Sequence, residues 1–197
     1  DDNTLVIFTS DNGGAAYIDL PEVNRPFRGW KITFFEGGIH VPFFMRWPAR
    51  IAAGTVIDSP AHHTDVFSTA LAAAGAAAAD IDGIDLLPVA RGAVNPERDL
   101  FWRSGHYQVV LSGGWKLQKT DTPQKIWLFN LAADPTEQNN VAAEHPERVA
   151  ALLARLDAHN ATQRAPAWPT TLESPILIDK TMMQVYEAGD DYIYWPN

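Results

Sequence analysis

Cysteine is absent from this 197-residue chain, so no disulfide staples it and no thiolate is on hand as a nucleophile or a soft metal ligand. The absence does not fix the compartment, because many exported proteins also lack cysteine. Basic residues are sparse too. Fifteen Lys and Arg face 24 Asp and Glu, and the net charge of −9 excludes nucleic-acid binding as the main role, because phosphate backbones require a basic surface. An anionic small substrate stays open, since a local cluster of lysine and metal outweighs a distant negative surface screened by salt. No apolar run is long enough to span a membrane, and none resembles a signal peptide. The chain opens at Asp1, almost directly on a segment expected inside a sheet, so that second absence says nothing about export. What is present argues for a folded core: 46% of the residues are hydrophobic, which excludes a disordered chain, and the length suits one domain or one and a half.

The apolar run Thr4-Leu5-Val6-Ile7-Phe8-Thr9 stops abruptly at Ser10-Asp11-Asn12-Gly13-Gly14. A continuous apolar run bounded by a turn reads as a strand covered on both faces, as in a parallel sheet, and ligands collect at the carboxyl ends of such strands. Asp11 and Asn12 offer adjacent hard oxygen donors, which suit Ca²⁺ or Mg²⁺ better than a soft metal. The alternative is an Asp-Asn-Gly turn that merely ends a core strand. Further on, Lys31 sits among Trp30, Ile32, Phe34 and Phe35, and a partly desolvated ammonium needs an anionic partner. That partner is either a ligand or, as a structural salt bridge, Glu36.

Two stretches together, Ser10-Asp11-Asn12-Gly13 after a strand and Arg28-Gly29-Trp30-Lys31 leading to Glu36-Gly37-Gly38-Ile39-His40-Val41-Pro42, resemble the second half of the sulfatase family, arylsulfatase-like enzymes of the alkaline phosphatase superfamily. The order continues with Phe43-Phe44-Met45-Arg46-Trp47-Pro48, His63-Thr64-Asp65, Asp82 to Pro88, Leu100-Phe101-Trp102, Gly114-Trp115-Lys116-Leu117, Leu128-Phe129-Asn130-Leu131 and Asp134-Pro135 to Asn140, covering roughly the first 160 residues. The resemblance implies a hydrolase of sulfate monoesters, with Ca²⁺ (Mg²⁺ less so) as Lewis acid and a formylglycine nucleophile made from a Cys or Ser in a Cys/Ser-x-Pro-x-Arg motif. It implies Asp11 and Asn12 as metal ligands and Lys31 as the catalytic cation that grips the sulfate.

That nucleophile motif is missing: neither Ser59-Pro60 nor Ser174-Pro175 has the spacing. The chain therefore reads as the C-terminal portion of a larger enzyme, its partner the N-terminal half, as a second chain or a missing segment, which is expected to carry the formylglycine. The resemblance is compatible with a periplasmic or secreted location. The implied substrate is a sulfated small molecule or carbohydrate, with no nucleic acid and no membrane span. His106, in a loop after Leu100-Phe101-Trp102, is a candidate substrate-binding residue because loops carry specificity. His40 stands where the family often shows arginine. His62 and His63 suggest zinc, but no cysteine or third histidine accompanies them, so a zinc site is rejected and His63 is read as a hydrogen-bonding residue. Two rival readings share these residues. One is a phosphodiesterase or phosphonate monoester hydrolase of the same superfamily, against which Asn12 weighs because those relatives more often show histidine there. The other is a non-catalytic binding or assembly module derived from a sulfatase half.

The expected architecture is α/β: the C-terminal part of an αβα sandwich over residues 1–92, a small antiparallel sheet plus helix over 93–165, and an extension over 166–197 that packs on the enzyme or a neighbouring subunit. Thr64 caps a helix carrying Val66, Phe67, Ala70, Leu71 and Ala74, with Gly75 as its stop and Ala76 to Ala79 as a connector. Short strands between Leu100 and Leu131 form an antiparallel meander. Val149, Leu152, Leu153 and Leu156 form the apolar stripe of a packing helix opened by Pro146.

Overall fold

The computed structural model describes residues 1–76, 80–168 and 170–196, so residues 77–79 of the expected connector and Pro169 of the extension lie outside the described residues. In chain order the elements are β1 (Val6–Thr9), a 3-10 turn (Ala16–Ile18), α1 (Glu36–Ile39), β2 (Phe43–Arg46), α2 (Thr64–Ala73), α3 (Leu87–Ala90), β3 (Leu100–Ser104), β4 (Tyr107–Ser112), β5 (Trp115–Asp121), β6 (Gln124–Asn130), α4 (Pro146–Thr162), β7 (Glu173–Leu177) and β8 (Tyr192–Pro196). They fall into two compact units, one built from Asp1–Ser10 and Pro42–Glu97, the other from Asp11–Val41 and Arg98–Asn197. The mixed α/β composition and the antiparallel sheet with its helix agree with the expected fold class. Among the described residues no helix is long and apolar enough to cross a membrane.

In the first unit β1 pairs antiparallel with β2, Val6 opposite Arg46 and Thr9 opposite Phe43. This corrects the expectation of a parallel, doubly covered strand. The run is apolar on both sides, but the chain's own residues leave one side open: Phe8 is 63% and Phe44 64% exposed, their rings 6.1 Å apart. Helix α2 opens with His63 rather than Thr64 at its cap position and with no side-chain cap bond, which corrects the expected Thr64 cap. Just past its last residue Ala73 the chain turns at Gly75 (φ +72°), with the Ala76 N–H donating back to Leu71 O. Its seated face is not the apolar one. Asp65, Ser68 and Thr69 are buried while Phe67 is exposed. Hydrogen bonds decide the orientation, because the Asp65 carboxylate accepts from His62 N (2.7 Å) and Ile84 N (3.0 Å), and Thr69 Oγ1 accepts from Leu86 N (3.0 Å). Turning that face outward would strand the buried backbone donors at 84 and 86.

The second unit is organised by the four-stranded antiparallel sheet β3-β4-β5-β6, the meander expected from the spacing of short apolar runs and turns. Strand residues alternate between two buried faces. One face sets Val110, Leu117 and Leu128 against Leu152 and Leu156 of α4, the stripe read from the helical period. The other sets Tyr107, Val109, Trp127 and Phe129 against Phe35 and against Ile176, Ile178 and Ile193, residues of and beside the β7-β8 hairpin. Each fully buried large apolar side chain contributes roughly 1.5–3 kcal/mol. On β5 this second face carries Lys116 and Gln118, both fully buried. The alternation places two polar side chains on a core face, where they meet Glu36 of α1, Tyr107 of β4 and Glu137 of the segment after β6.

Candidate functional site

Three backbone segments of the second unit stack on one another around Asp11, Asn12 and Lys31. Gly13 N donates to Gly38 O (3.0 Å), and Lys31 N donates to Gly14 O (2.9 Å). Asn24 bridges the same loops, its Oδ1 accepting from Gly14 N (2.6 Å) and its Nδ2 donating to Gly14 O (2.9 Å) and Gly29 O (3.0 Å). The approach is close enough to require glycine. A Cβ on Gly13 would stand 1.8 Å from Gly37 O, and one on Gly38 2.1 Å from Thr33 O. The Asp-Asn-Gly-Gly and Glu-Gly-Gly stretches, 25 residues apart by position (11 to 36), are thus two sides of one backbone stack.

Asp11 is exposed, and among the described residues its carboxylate makes no hydrogen bond or ion pair. Asn12 is half-buried, its Nδ2 donating to Gly13 O (2.9 Å), which orients the amide. Hard oxygen donors of this kind suit Ca²⁺. No group of three or more His, Cys, Asp or Glu that would enclose a metal occurs among the described residues, so these two fit a site that needs further ligands from elsewhere. Lys31 lies on the turn Trp30–Thr33, closed by Thr33 N to Trp30 O (2.9 Å). Glu36 is not its partner. The Glu36 carboxylate is taken by Lys116 Nζ (2.7 Å) and His40 Nδ1 (2.8 Å), and among the described residues Lys31 makes no ion pair. The salt bridge from Lys31 to Glu36 is therefore not formed, and among the described residues the half-buried ammonium has no anionic partner.

Behind the stack lies a buried polar network that motif reading missed. Lys116 Nζ sits between Glu36 and Glu137 Oε1 (3.0 Å). Glu137 Oε1 also accepts from Gln118 Nε2 (3.0 Å), and Glu137 Oε2 from Glu36 N (2.5 Å). Gln118 Oε1 accepts from Tyr107 Oη (2.5 Å), which accepts from Phe34 N (2.9 Å). Burial alone would raise the Glu36 pKa, but Lys116 and then His40 overrule it and hold the carboxyl down to about 2. Burial pushes Glu137 up. The network fixes both ends of the segment 34–36 that follows Lys31. The signals available in the sequence were Lys116 set between Trp115 and Leu117, and the Asp134-to-Asn140 stretch that contains Glu137.

Arg28 is committed elsewhere, bidentate to Asp179 (2.6 Å to each oxygen) and bonded to Asp191 (2.9 Å), with its guanidinium 5.1 Å from the centroid of the Phe35 ring. His40 stacks on Phe27 at 4.3 Å. His106 sits at the β3-β4 turn with Nδ1 3.0 Å from Thr120 Oγ1 and Nε2 3.6 Å from Glu173. Its partners are sheet and hairpin residues rather than the loops around Lys31. Trp30 is buried, a packing position. In the first unit His63 Nε2 lies 2.9 Å from Ser10 O, the hydrogen-bonding role expected of it.

Comparison with known proteins locates this geometry. Residues 1–76 match the family model described as Sulfatase. The N-acetylgalactosamine-6-sulfatase of Canis lupus familiaris is 44% identical over 119 residues, 57% of this chain and 23% of that protein. The steryl-sulfatase of Rattus norvegicus is 32% identical over 152 residues, 73% of this chain and 26% of that protein. Among solved structures, Ps i-CgsB in complex with k-i-k-neocarrahexaose superposes with a TM-score of 0.74 at 27% identity, over 85% of this chain and 38% of that one. The chain thus spans well under half the length of each of these relatives.

Proposed function

From a chain that is a relative of the sulfatases, matched to their family over residues 1–76, we propose a part in the hydrolysis of sulfate monoesters. The observation that carries the reading is Lys31: an ammonium without a counter-ion among the described residues, on a turn bonded to the Asp11–Gly14 loop. In this reading Lys31 binds a non-bridging sulfate oxygen and stabilises the negative charge that builds there as the ester bond breaks. Asp11 and Asn12 hold Ca²⁺ together with ligands from outside these residues. When bound, the ion polarises a sulfate oxygen as a Lewis acid. The nucleophile, a formylglycine by family likeness, comes from the N-terminal half of the enzyme. His106, held by Thr120 and Glu173 away from the loops around Lys31, is left out of this reading. Residues 1–92 serve as the C-terminal part of the catalytic domain, 93–165 as the sheet and helix subdomain, and 166–197 as an extension packed on the enzyme or a neighbouring subunit.

A carbohydrate is the favoured substrate class. Support comes from the 44% identity to an enzyme named for N-acetylgalactosamine-6-sulfate and from the superposition on a protein bound to a neocarrahexaose. The test is turnover of an aryl sulfate, a sulfated sugar and a phosphate diester by the full enzyme carrying this chain, with and without EGTA. The account expects sulfate esters to be cleaved in preference to the diester and the activity to fall when calcium is removed. Preference for the diester would point to the phosphodiesterase relatives, and no turnover at all to a binding module.

A further inference from the structure

Lys31 is flanked on both sides by residues that break a local rule. Trp30 buries its indole N–H with no acceptor among the described residues. Ile32 stands at φ +87°, a region that β-branched side chains avoid. The Trp30–Thr33 turn places Lys31 and Ile32 at its two central positions, and φ is positive only at the second. A turn of that form is ordinarily served by glycine or asparagine there. Ile32 instead brings a side chain that packs, partly buried, against the core cluster of Phe35, Tyr107, Val109, Trp127 and Phe129.

We propose that Ile32 is a positioning residue for Lys31, its side chain anchoring in the core the turn that presents the ammonium; this rests on the reading of Lys31 as the sulfate-binding cation. A glycine turn would adopt the same backbone without strain but would hold Lys31 through the main chain alone. Ile32 exchanges backbone ease for a packed side chain, and the surroundings over-determine the result. Thr33 Oγ1 accepts from Trp30 N (3.0 Å) and donates to Trp30 O (2.8 Å), and Lys31 N is tied to Gly14 O (2.9 Å). Strain persists where neighbours enforce it, and it gathers where geometry serves chemistry.

The test is a double-variant cycle on the full enzyme carrying this chain, read by calorimetric titration with inorganic sulfate, which does not depend on turnover. Ile32→Gly is expected to weaken sulfate binding about tenfold, well within the ~10²-fold that a 1 Å misplacement is able to cause. Ile32→Val, which keeps a branched anchor, is expected to stay within about twofold of the wild type, the scatter of non-interacting changes. Added to Lys31→Ala, Ile32→Gly is expected to weaken binding no further, because it acts through that lysine. Should Ile32→Gly not fold, Ile32→Asn takes its place, since asparagine tolerates positive φ. Wild-type sulfate affinity in the Ile32 variant, or a loss that adds to that of Lys31→Ala, overturns the positioning role and leaves the reading of Lys31 standing. Unchanged affinity in Lys31→Ala itself overturns that reading and the inference with it.

Discussion

At the scale of single residues the molecule is governed by where its charges find partners. Glu36, Lys116 and Glu137 share one buried network, while Lys31, five positions before Glu36, is left out of it. The Glu36 carboxyl is held at about 2 against an ordinary 4.5, so its folded pKa is depressed. Its stabilisation is therefore fully present above about pH 4.5 and is lost as pH falls toward 2. Thermal midpoints measured between pH 6 and pH 3 should fall by an amount equivalent to about 2 kcal/mol, and a Glu36→Gln variant should show a flatter profile. An equally steep acid decline in Glu36→Gln would remove Glu36 as its source. Glu137 offers a second check. Both of its oxygens accept from N–H donors, so Glu137→Gln turns an amide NH₂ toward one of those donors. Chemical denaturation should report a loss of about 3 kcal/mol, as for breaking a buried charge pair. Motif spacing picked out Asp11, Asn12 and Lys31, because adjacent hard donors and an isolated lysine are local signals. It missed the roles of Lys116 and Glu137, because Lys116 lies 80 positions from Glu36 and nothing local says that two loops and a strand will meet.

At the scale of elements, what could be read depended on whether side chains or backbone donors decide the packing. Helix α4 presents its apolar stripe at helical spacing, and the structure seats that stripe on the sheet, with Leu156 only 1% exposed. Leu156→Ala should destabilise by about 2–5 kcal/mol. Helix α2 shows the opposite case. Its apolar residues suggested a packing face, yet buried Asp65 and Thr69 cap backbone N–H groups of the following loop and turn Phe67 outward. Phe67→Ala on the same chain should cost under 1 kcal/mol, the range of exposed positions, so the contrast between the two alanine variants tests both assignments in one denaturation series. Strand β1 was legible as a strand but not in its pairing. A continuous apolar run reads the same whichever direction its neighbour runs and whichever side is covered, and the antiparallel partner β2 arrives from 34 residues downstream of Thr9, at Phe43.

At the scale of the whole chain, the family match covers residues 1–76 and the superposition on Ps i-CgsB covers 85% of the chain. The central claim is narrower: that Lys31 is left unneutralised because it is reserved for a sulfate group. It is tested most directly by kcat/KM for a sulfate ester in the full enzyme, wild type against Lys31→Ala, with the thermal midpoint measured alongside. The account predicts a loss of about 10²–10³-fold with little change in stability, since the lysine makes no ion pair among the described residues and its removal takes away a transition-state contact rather than a structural one. Unchanged kcat/KM, or a loss that tracks unfolding, would contradict it.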